Sequence, residues 1–142
     1  MSKKKLGLAL GAGGARGVAH VGFLYALEEA GIRADCVSGC SMGAIVGACY
    51  CAGVPVEKIR DTALGLKLAR IATVNVNPLR SSGLLRMTKA HKIMEELIGH
   101  DVRFEELRIP FCCVATDLVS GKTVELRTGS VIDAALASGS VP

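Results

Sequence analysis

The 142-residue sequence predicts an α/β fold, a three-layer sandwich in which helices cover a mostly parallel central sheet. Two observations lead to this prediction. Short apolar segments alternate along the chain with segments of helical period, which is typical of parallel strands joined by helices. Half of the residues are hydrophobic but only 4 % are aromatic, so small aliphatic side chains must fill the core. A chain of this length suits a single domain over residues 1–142.

The first third of the chain alternates strand and helix. Leu6–Leu10 is a short apolar run that ends in glycines, as expected of a buried parallel strand. Apolar residues recur at helical spacing over Val18–Ala30, and Gly31 follows where a helix commonly stops. Ile32–Ser38 predicts the second strand. Met42–Ala52 is small and apolar, which favours a helix that packs closely on the sheet.

The rest of the chain continues the alternation. Val56–Leu68 and Met87–Ile98 have the spacing of amphipathic helices, and Asn75–Gly83 between them is the strongest loop signal in the sequence. Three elements are predicted after them: strands at Pro110–Thr116 and Thr123–Arg127, and a short helix at Ser130–Ser138.

The charge pattern argues against nucleic acid as a partner. The net charge is only +4, and much of it comes from Lys3, Lys4 and Lys5. A stripe of basic residues interleaved with aromatic ones, typical of nucleic-acid binding, is absent from the sequence. The mild positive charge is compatible with peripheral contact to an anionic membrane surface. No apolar run has the length needed to span a bilayer, so we expect a cytoplasmic protein, with membrane contact at most peripheral.

The six cysteines predict free thiols rather than a metal site or a disulfide framework. No C-x-x-C pair occurs, and the adjacent Cys112 and Cys113 would point to opposite faces of a strand. We therefore expect thiols that fill small apolar spaces in a reducing compartment, with no metal and no cofactor.

One motif predicts a nucleophile. Gly39-Cys40-Ser41-Met42-Gly43 is a G-x-S-x-G sequence between a predicted strand and a predicted helix, the context of a nucleophile elbow. A serine at such a sharp turn is held in a strained conformation with its hydroxyl pushed out of the sheet. The positions two before and two after approach each other, which favours glycine. The alternative interpretation is a glycine-rich turn in which Ser41 only caps the helix.

A second motif predicts the site of an oxyanion. The segment Gly11–Gly17 follows the first strand and opens a helix, so its backbone amides can stabilise developing negative charge. Arg16 would pin this loop or add positive potential. A dinucleotide fingerprint fails because its last glycine position holds Arg16, and a phosphate-binding P-loop fails because no Gly-Lys-Ser/Thr follows. Both motifs end parallel strands, so we expect the loop and Ser41 to be neighbours.

Four segments together resemble the patatin-like phospholipase family, and most of all its compact bacterial members. They are Leu8–His20, Val37–Ala44, Val114–Leu118 with the following Ser120-Gly121, and Ala137-Ser138…Val141-Pro142. They occur in the family's order and cover nearly the whole chain. The resemblance implies a patatin-like fold, of which residues 1–142 would form the N-terminal part.

The resemblance also implies a chemistry, the hydrolysis of lipid acyl esters by a Ser-Asp dyad without histidine. Ser41 would be the nucleophile, and the amides of Gly13, Gly14, Ala15 and Arg16 would form the oxyanion hole. The family's aspartate lies in an Asp-Gly-Gly or Asp-Gly-Ala motif after the Ala-Ser…Pro segment. No Asp-Gly pair occurs in this sequence, so the catalytic base is absent from these residues.

Other residues are weaker candidates for the base. Asp117 matches a family position without a catalytic role, so we expect it to act structurally at a strand end, and we expect Asp133 to be a surface charge. A Ser-His-Asp triad would need one of three histidines, His20, His91 and His100.

Two other functions stay open at this stage. One is a non-catalytic module of the same fold that binds lipid or a protein partner, which the missing Asp-Gly motif favours. The other is an acyl transferase that uses histidine, against which the early glycine loop argues. The Asn75–Leu85 loop would be either a lid that contacts lipid or a plain connector. The sequence gives no oligomeric state.

Overall fold

The computed structural model describes the backbone of residues 4–72 and 83–140 and the side chains of residues 4–65 and 88–140. Most of the predicted loop at Asn75–Leu85 lies outside the described residues. Its last three residues, from Gly83, belong to a helix.

Within these described ranges the sheet has four strands, which follow one another in space as they do along the chain. They are β1 (Gly7–Leu10), β2 (Cys36–Cys40), β3 (Phe111–Thr116) and β4 (Thr123–Leu126). The pairs β1–β2 and β2–β3 are parallel, and β4 runs antiparallel to β3. The short connection between β3 and β4 permits only the antiparallel arrangement, whereas the parallel pairs are joined through helices. The predicted α/β fold with a mostly parallel sheet is therefore confirmed.

The described residues form five α-helices. They are α1 (Ala19–Glu29), α2 (Met42–Cys51), α3 (Val56–Ala72), α4 (Gly83–Ile98) and α5 (Val131–Gly139). Of these, α2 and α5 pack on the strands. Short 3-10 helices lie at Gly14–Val18 and Phe104–Glu106. All five α-helices were predicted, although α3 ends four residues later than expected and α4 begins four residues earlier.

The predicted start of the second strand was wrong by four residues. The amide of Gly31 donates to the carbonyl of Glu28 and that of Ile32 to Leu27, so the end of α1 uses these residues for its own termination. Asp35 is also engaged before the strand begins, since its carboxylate accepts a hydrogen bond from the Leu6 amide at 2.7 Å. The apolar residue Ile32 is exposed rather than buried in the sheet.

The core lies where α2 and α5 pack on one face of the sheet. Leu8, Leu10, Val37 and Cys113 point to that face and are buried, as the two-residue period of a strand requires. Helix α2 lies so close to the sheet that a Cβ at its Gly47 would be 3.0 Å from the Phe111 ring. Small residues on α2 therefore set the distance between helix and strands, and so the position of the residue at the N-terminus of α2.

All six cysteines are free thiols in the structure. Cys113 is fully buried while its neighbour Cys112 is half-buried, which agrees with their predicted opposite orientation on β3.

Candidate active site

Ser41 is the single residue between β2 and α2. Its backbone has a φ of 55° and a ψ of −121°, a conformation that residues other than glycine rarely adopt. Such a conformation costs about 1–3 kcal/mol and persists only when the surrounding structure imposes it. The carbonyl of Ser41 accepts hydrogen bonds from the amides of Ala44 and Ile45, but its hydroxyl makes no capping bond to α2. Ser41 is therefore more than a helix cap.

Two glycines allow the chain to turn this sharply. A Cβ at Gly39 would be 2.5 Å from the Cα of Ala44, so the strand before the turn and the helix after it are in backbone contact. A Cβ at Gly43 would overlap the carbonyl oxygens of Leu10 and Gly11. Gly43 thus brings the Ser41 turn against the end of β1, where the glycine loop begins. The two motifs are neighbours, as the sequence predicted.

The glycine loop continues into the 3-10 helix at Gly14–Val18. The first amides of a helix have no partner within it and are available to an anion. The amide of Arg16 is an exception, since it donates to the carbonyl of Gly13 at 3.0 Å inside the turn. Among the four residues predicted for the oxyanion hole, Gly13, Gly14 and Ala15 therefore fit better than Arg16. A Cβ at Gly17 would collide with the Met42 side chain, so this loop packs on the residue after Ser41.

His20 holds the first residue of the glycine loop. Its Nε2 lies 2.8 Å from the carbonyl oxygen of Gly11. A carbonyl can only accept, so Nε2 carries the proton and donates it. Sequence reasoning considered His20 only as a member of a triad and missed this role.

Ser138, on the last turn of α5, also contacts the nucleophile motif. The backbone amide of Ser41 donates to the Ser138 hydroxyl at 2.8 Å, and that hydroxyl donates to the carbonyl of Val114 at 2.5 Å. The two residues are 97 positions apart in the chain, and Ser138 is half-buried. Sequence reasoning gave it no function, although the Ala137-Ser138…Pro142 segment was already among the landmarks of the resemblance.

An apolar cavity of about 290 Å³ opens beside the glycine loop and the G-x-S-x-G motif. Its walls come from α1, α2, α3 and α4. Val18, which follows the glycine loop, and Met42, which follows Ser41, also line it. Cys49 is a wall residue, and burial raises the pKa of its thiol to about 12. This thiol stays protonated at neutral pH and does not compete with Ser41 as a nucleophile.

A family model described as patatin-like phospholipase matches residues 8–142. The chain belongs to the patatin-like phospholipase family. The lipid acyl hydrolase family anticipated from the sequence is thereby confirmed.

Similar proteins of the patatin-like family come from bacteria and insects. An NTE family protein of Mycobacterium bovis is 37 % identical over 141 residues, which are 99 % of this chain and 39 % of that protein. The neuropathy target esterase sws of Drosophila melanogaster is 33 % identical over 125 residues, or 84 % of this chain and 9 % of that protein. The chain therefore spans about two-fifths of the length of its mycobacterial relatives.

The fold has a counterpart among solved structures. ExoU from the type III secretion system of Pseudomonas aeruginosa, in a crystal structure with SpcU, superposes with a TM-score of 0.71. The match covers 97 % of this chain and 38 % of ExoU at 22 % sequence identity. At that identity the likeness concerns the fold, which agrees with the predicted patatin-like architecture.

The two aspartates considered as a base are occupied elsewhere in this patatin-like chain. Asp117, at the end of β3, accepts hydrogen bonds from the amide of Val119 at 3.0 Å and from the hydroxyl of Ser120 at 2.6 Å. These bonds, that of Ser120 foremost, hold the pKa of the carboxyl below its usual value. Asp133 is exposed on α5. The structural role expected for Asp117 and the surface position expected for Asp133 are both found.

The remaining histidines also have partners away from Ser41. His91 on α4 lies 3.6 Å from the carboxylates of Glu95 and Asp133, and His100 lies 2.9 Å from Glu95. With His20 bound to the glycine loop, these contacts give no support to a histidine-based triad. Within the described residues no group of three His, Cys, Asp or Glu side chains could hold a metal ion. No helix in that part of the chain is long and apolar enough to cross a membrane.

Proposed function

We propose that this chain carries the nucleophile and the oxyanion site of a serine hydrolase that cleaves lipid acyl esters. The observation that carries the proposal is the contact at Gly43, where the strained turn of Ser41 lies directly against the glycine loop. The Ser41 hydroxyl makes no capping bond to α2, and the adjacent loop opens a helix whose first amides can bind an anion, which supports acyl transfer through this serine.

The proposed reaction proceeds in two stages. A carboxylate base accepts the Ser41 proton while Oγ forms a bond to the ester carbonyl carbon, and the carbonyl oxygen becomes an oxyanion. The amides of Gly14 and Ala15, with Gly13 before them, donate to that oxyanion. The intermediate then collapses, the C–O bond to the alcohol breaks, and the alcohol leaves with the proton. Water, deprotonated by the same carboxylate, attacks the acyl-serine and releases the fatty acid and the free Ser41 hydroxyl.

The base in this proposal is the aspartate of a Ser-Asp dyad, as the resemblance to the family implies. Asp117 and Asp133 are poor substitutes because hydrogen bonds of the β3–β4 turn engage the first and the second is exposed on α5. The dyad aspartate would come from an Asp-Gly segment, a pair that residues 1–142 do not contain.

The apolar cavity supports a lipid substrate. Its volume of about 290 Å³ is just below the roughly 300–1,000 Å³ of small-molecule sites. One acyl chain fits this space better than the two chains of a diacyl lipid together. Each methylene that enters such an apolar cavity gains about 0.8 kcal/mol. The walls beside Met42 therefore favour esters with long acyl chains over short, polar esters.

Exposed apolar side chains support the proposed peripheral contact with a membrane. Leu118 and Val119 are 75 % and 97 % exposed, and they follow β3 at its carboxyl end. Because β2 and β3 are parallel, this is also the edge of the sheet at which Ser41 lies. A lipid surface touching these two side chains would therefore meet the protein on the side of the nucleophile.

The nucleophile is tested by labelling with a fluorophosphonate and by measuring p-nitrophenyl ester hydrolysis, both on a protein that includes the aspartate of the proposed dyad. Ser41→Ala should abolish labelling and lower kcat/KM by about 10⁴-fold or more, because Oγ is the atom that forms the bond. Ser38→Ala is the matched control, since Ser38 lies on β2 three residues earlier and outside the motif. It should label as the parent does. Equal labelling of Ser41→Ala and the parent, or no labelling of the parent, would overturn the proposal.

A further inference from the structure

The parallel ladder between β2 and β3 has an unusual end. Val37 pairs with Phe111 and donates its amide to the carbonyl of Pro110 at 2.9 Å, which is the regular pattern of a parallel pair. Ladder bonds from one strand recur every second residue. Two rungs further along, which is four residues after Val37, the same register brings the amide of Ser41 opposite the carbonyl of Val114.

A side-chain hydroxyl occupies this last rung. The Ser41 amide donates to Oγ of Ser138 at 2.8 Å, and Ser138 donates its own proton to the Val114 carbonyl at 2.5 Å. The hydroxyl therefore satisfies both backbone groups while it keeps them farther apart than a direct bond would. Strand β2 is released from the sheet one residue early, at the position where the backbone turns into the strained conformation of Ser41.

We infer that Ser138 is a positioning residue for the Ser41 nucleophile, because its hydroxyl replaces the last β2–β3 rung and fixes the backbone from which the Ser41 side chain projects. The inference rests on the proposed function of Ser41. It also narrows the oxyanion site, since the amide of Ser41 is engaged by Ser138 and is not available as a donor. Ser138 itself touches no reacting atom in this scheme.

Three substitutions at position 138 test the hydroxyl separately from the shape of the side chain. Thr and Val have nearly the same shape, but only Thr retains a hydroxyl. We expect Ser138→Thr to keep kcat for p-nitrophenyl ester hydrolysis within about threefold of the parent. Ser138→Val and Ser138→Ala should lower kcat and the rate of fluorophosphonate labelling by about 10²-fold, the effect of misplacing a reacting group by about 1 Å. KM should change by less than about threefold, since the acyl cavity is untouched.

Ser130→Ala is the matched control for damage to α5. Ser130 is the N-cap of the same helix and accepts a hydrogen bond from the Asp133 amide at 3.2 Å, at the end remote from Ser41. Its loss should lower the melting temperature by about 4 °C without changing kcat. Each variant is assayed below its own melting temperature, so that only folded protein is compared.

The outcomes separate this inference from the proposed function. If Ser41→Ala labels like the parent, the proposed function fails. If Ser41 alone is labelled in the parent but Ser138→Val reacts at the rate of Ser138→Thr, only the positioning role fails. A fall in kcat for Ser130→Ala equal to that for Ser138→Ala would likewise overturn it, because the effect would then be one of helix stability. Should Ser138→Ala not fold, the Thr and Val pair gives the same comparison.

Discussion

Two neighbouring strands of the sheet end in very different ways. At the carboxyl end of β2, Ser41 adopts a strained backbone, and its amide is bound by a residue 97 positions away. At the carboxyl end of β3, the turn from Asp117 to Lys122 is held by bonds among its own residues, with the amide of Gly121 donating to the carbonyl of Asp117. The difference separates a turn that needs the rest of the fold from one that stabilises itself.

This contrast indicates which strand end carries chemistry. The carboxylate of Asp117 is bound by Val119 and Ser120, which hold it within its own turn. The Ser41 hydroxyl makes no capping bond, while α2, the glycine loop and α5 all constrain the backbone that carries it. A reactive group is useful when it is fixed in position and not already paired.

The largest predicted effect comes from adding a methyl group at Gly43, which lies in α2 against the end of β1. Gly43→Ala would push a Cβ into the carbonyl oxygens of Leu10 and Gly11, and rigid backbone cannot yield. We expect it to lower the free energy of unfolding by about 3 kcal/mol and to abolish esterase activity. Gly121→Ala is the control in the self-contained turn, where no atom lies within 4 Å of the added carbon.

Gly121→Ala should cost only about 1 kcal/mol, the penalty for a φ of 69° in a residue other than glycine. Its activity should equal that of the parent. Urea unfolding and ester hydrolysis of the two variants measure the comparison. Similar losses of stability in both would contradict the view that only the Ser41 turn depends on distant contacts.

A smaller effect should appear at Ser41 itself. Ser41→Ala and Ser41→Gly both remove the hydroxyl, but only glycine adopts a φ of 55° without strain. Relief of about 1–3 kcal/mol is partly offset by the extra flexibility of unfolded glycine, about 0.5–1 kcal/mol. Ser41→Gly should therefore be more stable than Ser41→Ala by about 1 kcal/mol in urea unfolding. Equal stability of the two variants would mean that the turn stores no strain.

The sequence was sufficient for features with local causes. The G-x-S-x-G motif, the glycine loop and their meeting at one sheet edge follow from short segments whose geometry their own residues impose, such as Gly39 and Gly43. The order of strands and helices was predictable for the same reason, because hydrophobic period depends only on neighbouring positions. The start of β2 was not, since the termination of α1 at Gly31 and Ile32 overrode the apolar pattern.

Features that depend on distant contacts were missed. Nothing near Ser138 in the chain shows that its hydroxyl meets Ser41, because that contact exists only after α5 has packed on β3. The bond from His20 to the Gly11 carbonyl was missed although the two residues are only nine positions apart. Its sequence pattern is that of any histidine on the first turn of a helix. The hydrogen bond from the Arg16 amide to the Gly13 carbonyl is local, and it was missed because the sequence does not show that the loop turns into a 3-10 helix at Gly14.

The smallest predicted effect concerns the self-contained turn and depends on pH. The bonds from Ser120 and Val119 lower the pKa of Asp117 in the folded protein below its usual 3.8, so the ionised carboxylate stabilises the fold above that pH. This contribution is lost as the pH falls through the lowered folded-state value. Asp117→Asn has no such charge, so its stability deficit relative to the parent should be constant between pH 7 and 5 and should shrink as the pH falls below 3.8 through the lowered folded-state pKa. Urea unfolding at each pH measures the deficit, while ester hydrolysis at pH 7 should be unchanged. A loss of activity in Asp117→Asn would mean that the ends of β2 and β3 are coupled and that the strained turn at Ser41 depends on the self-contained turn at Asp117.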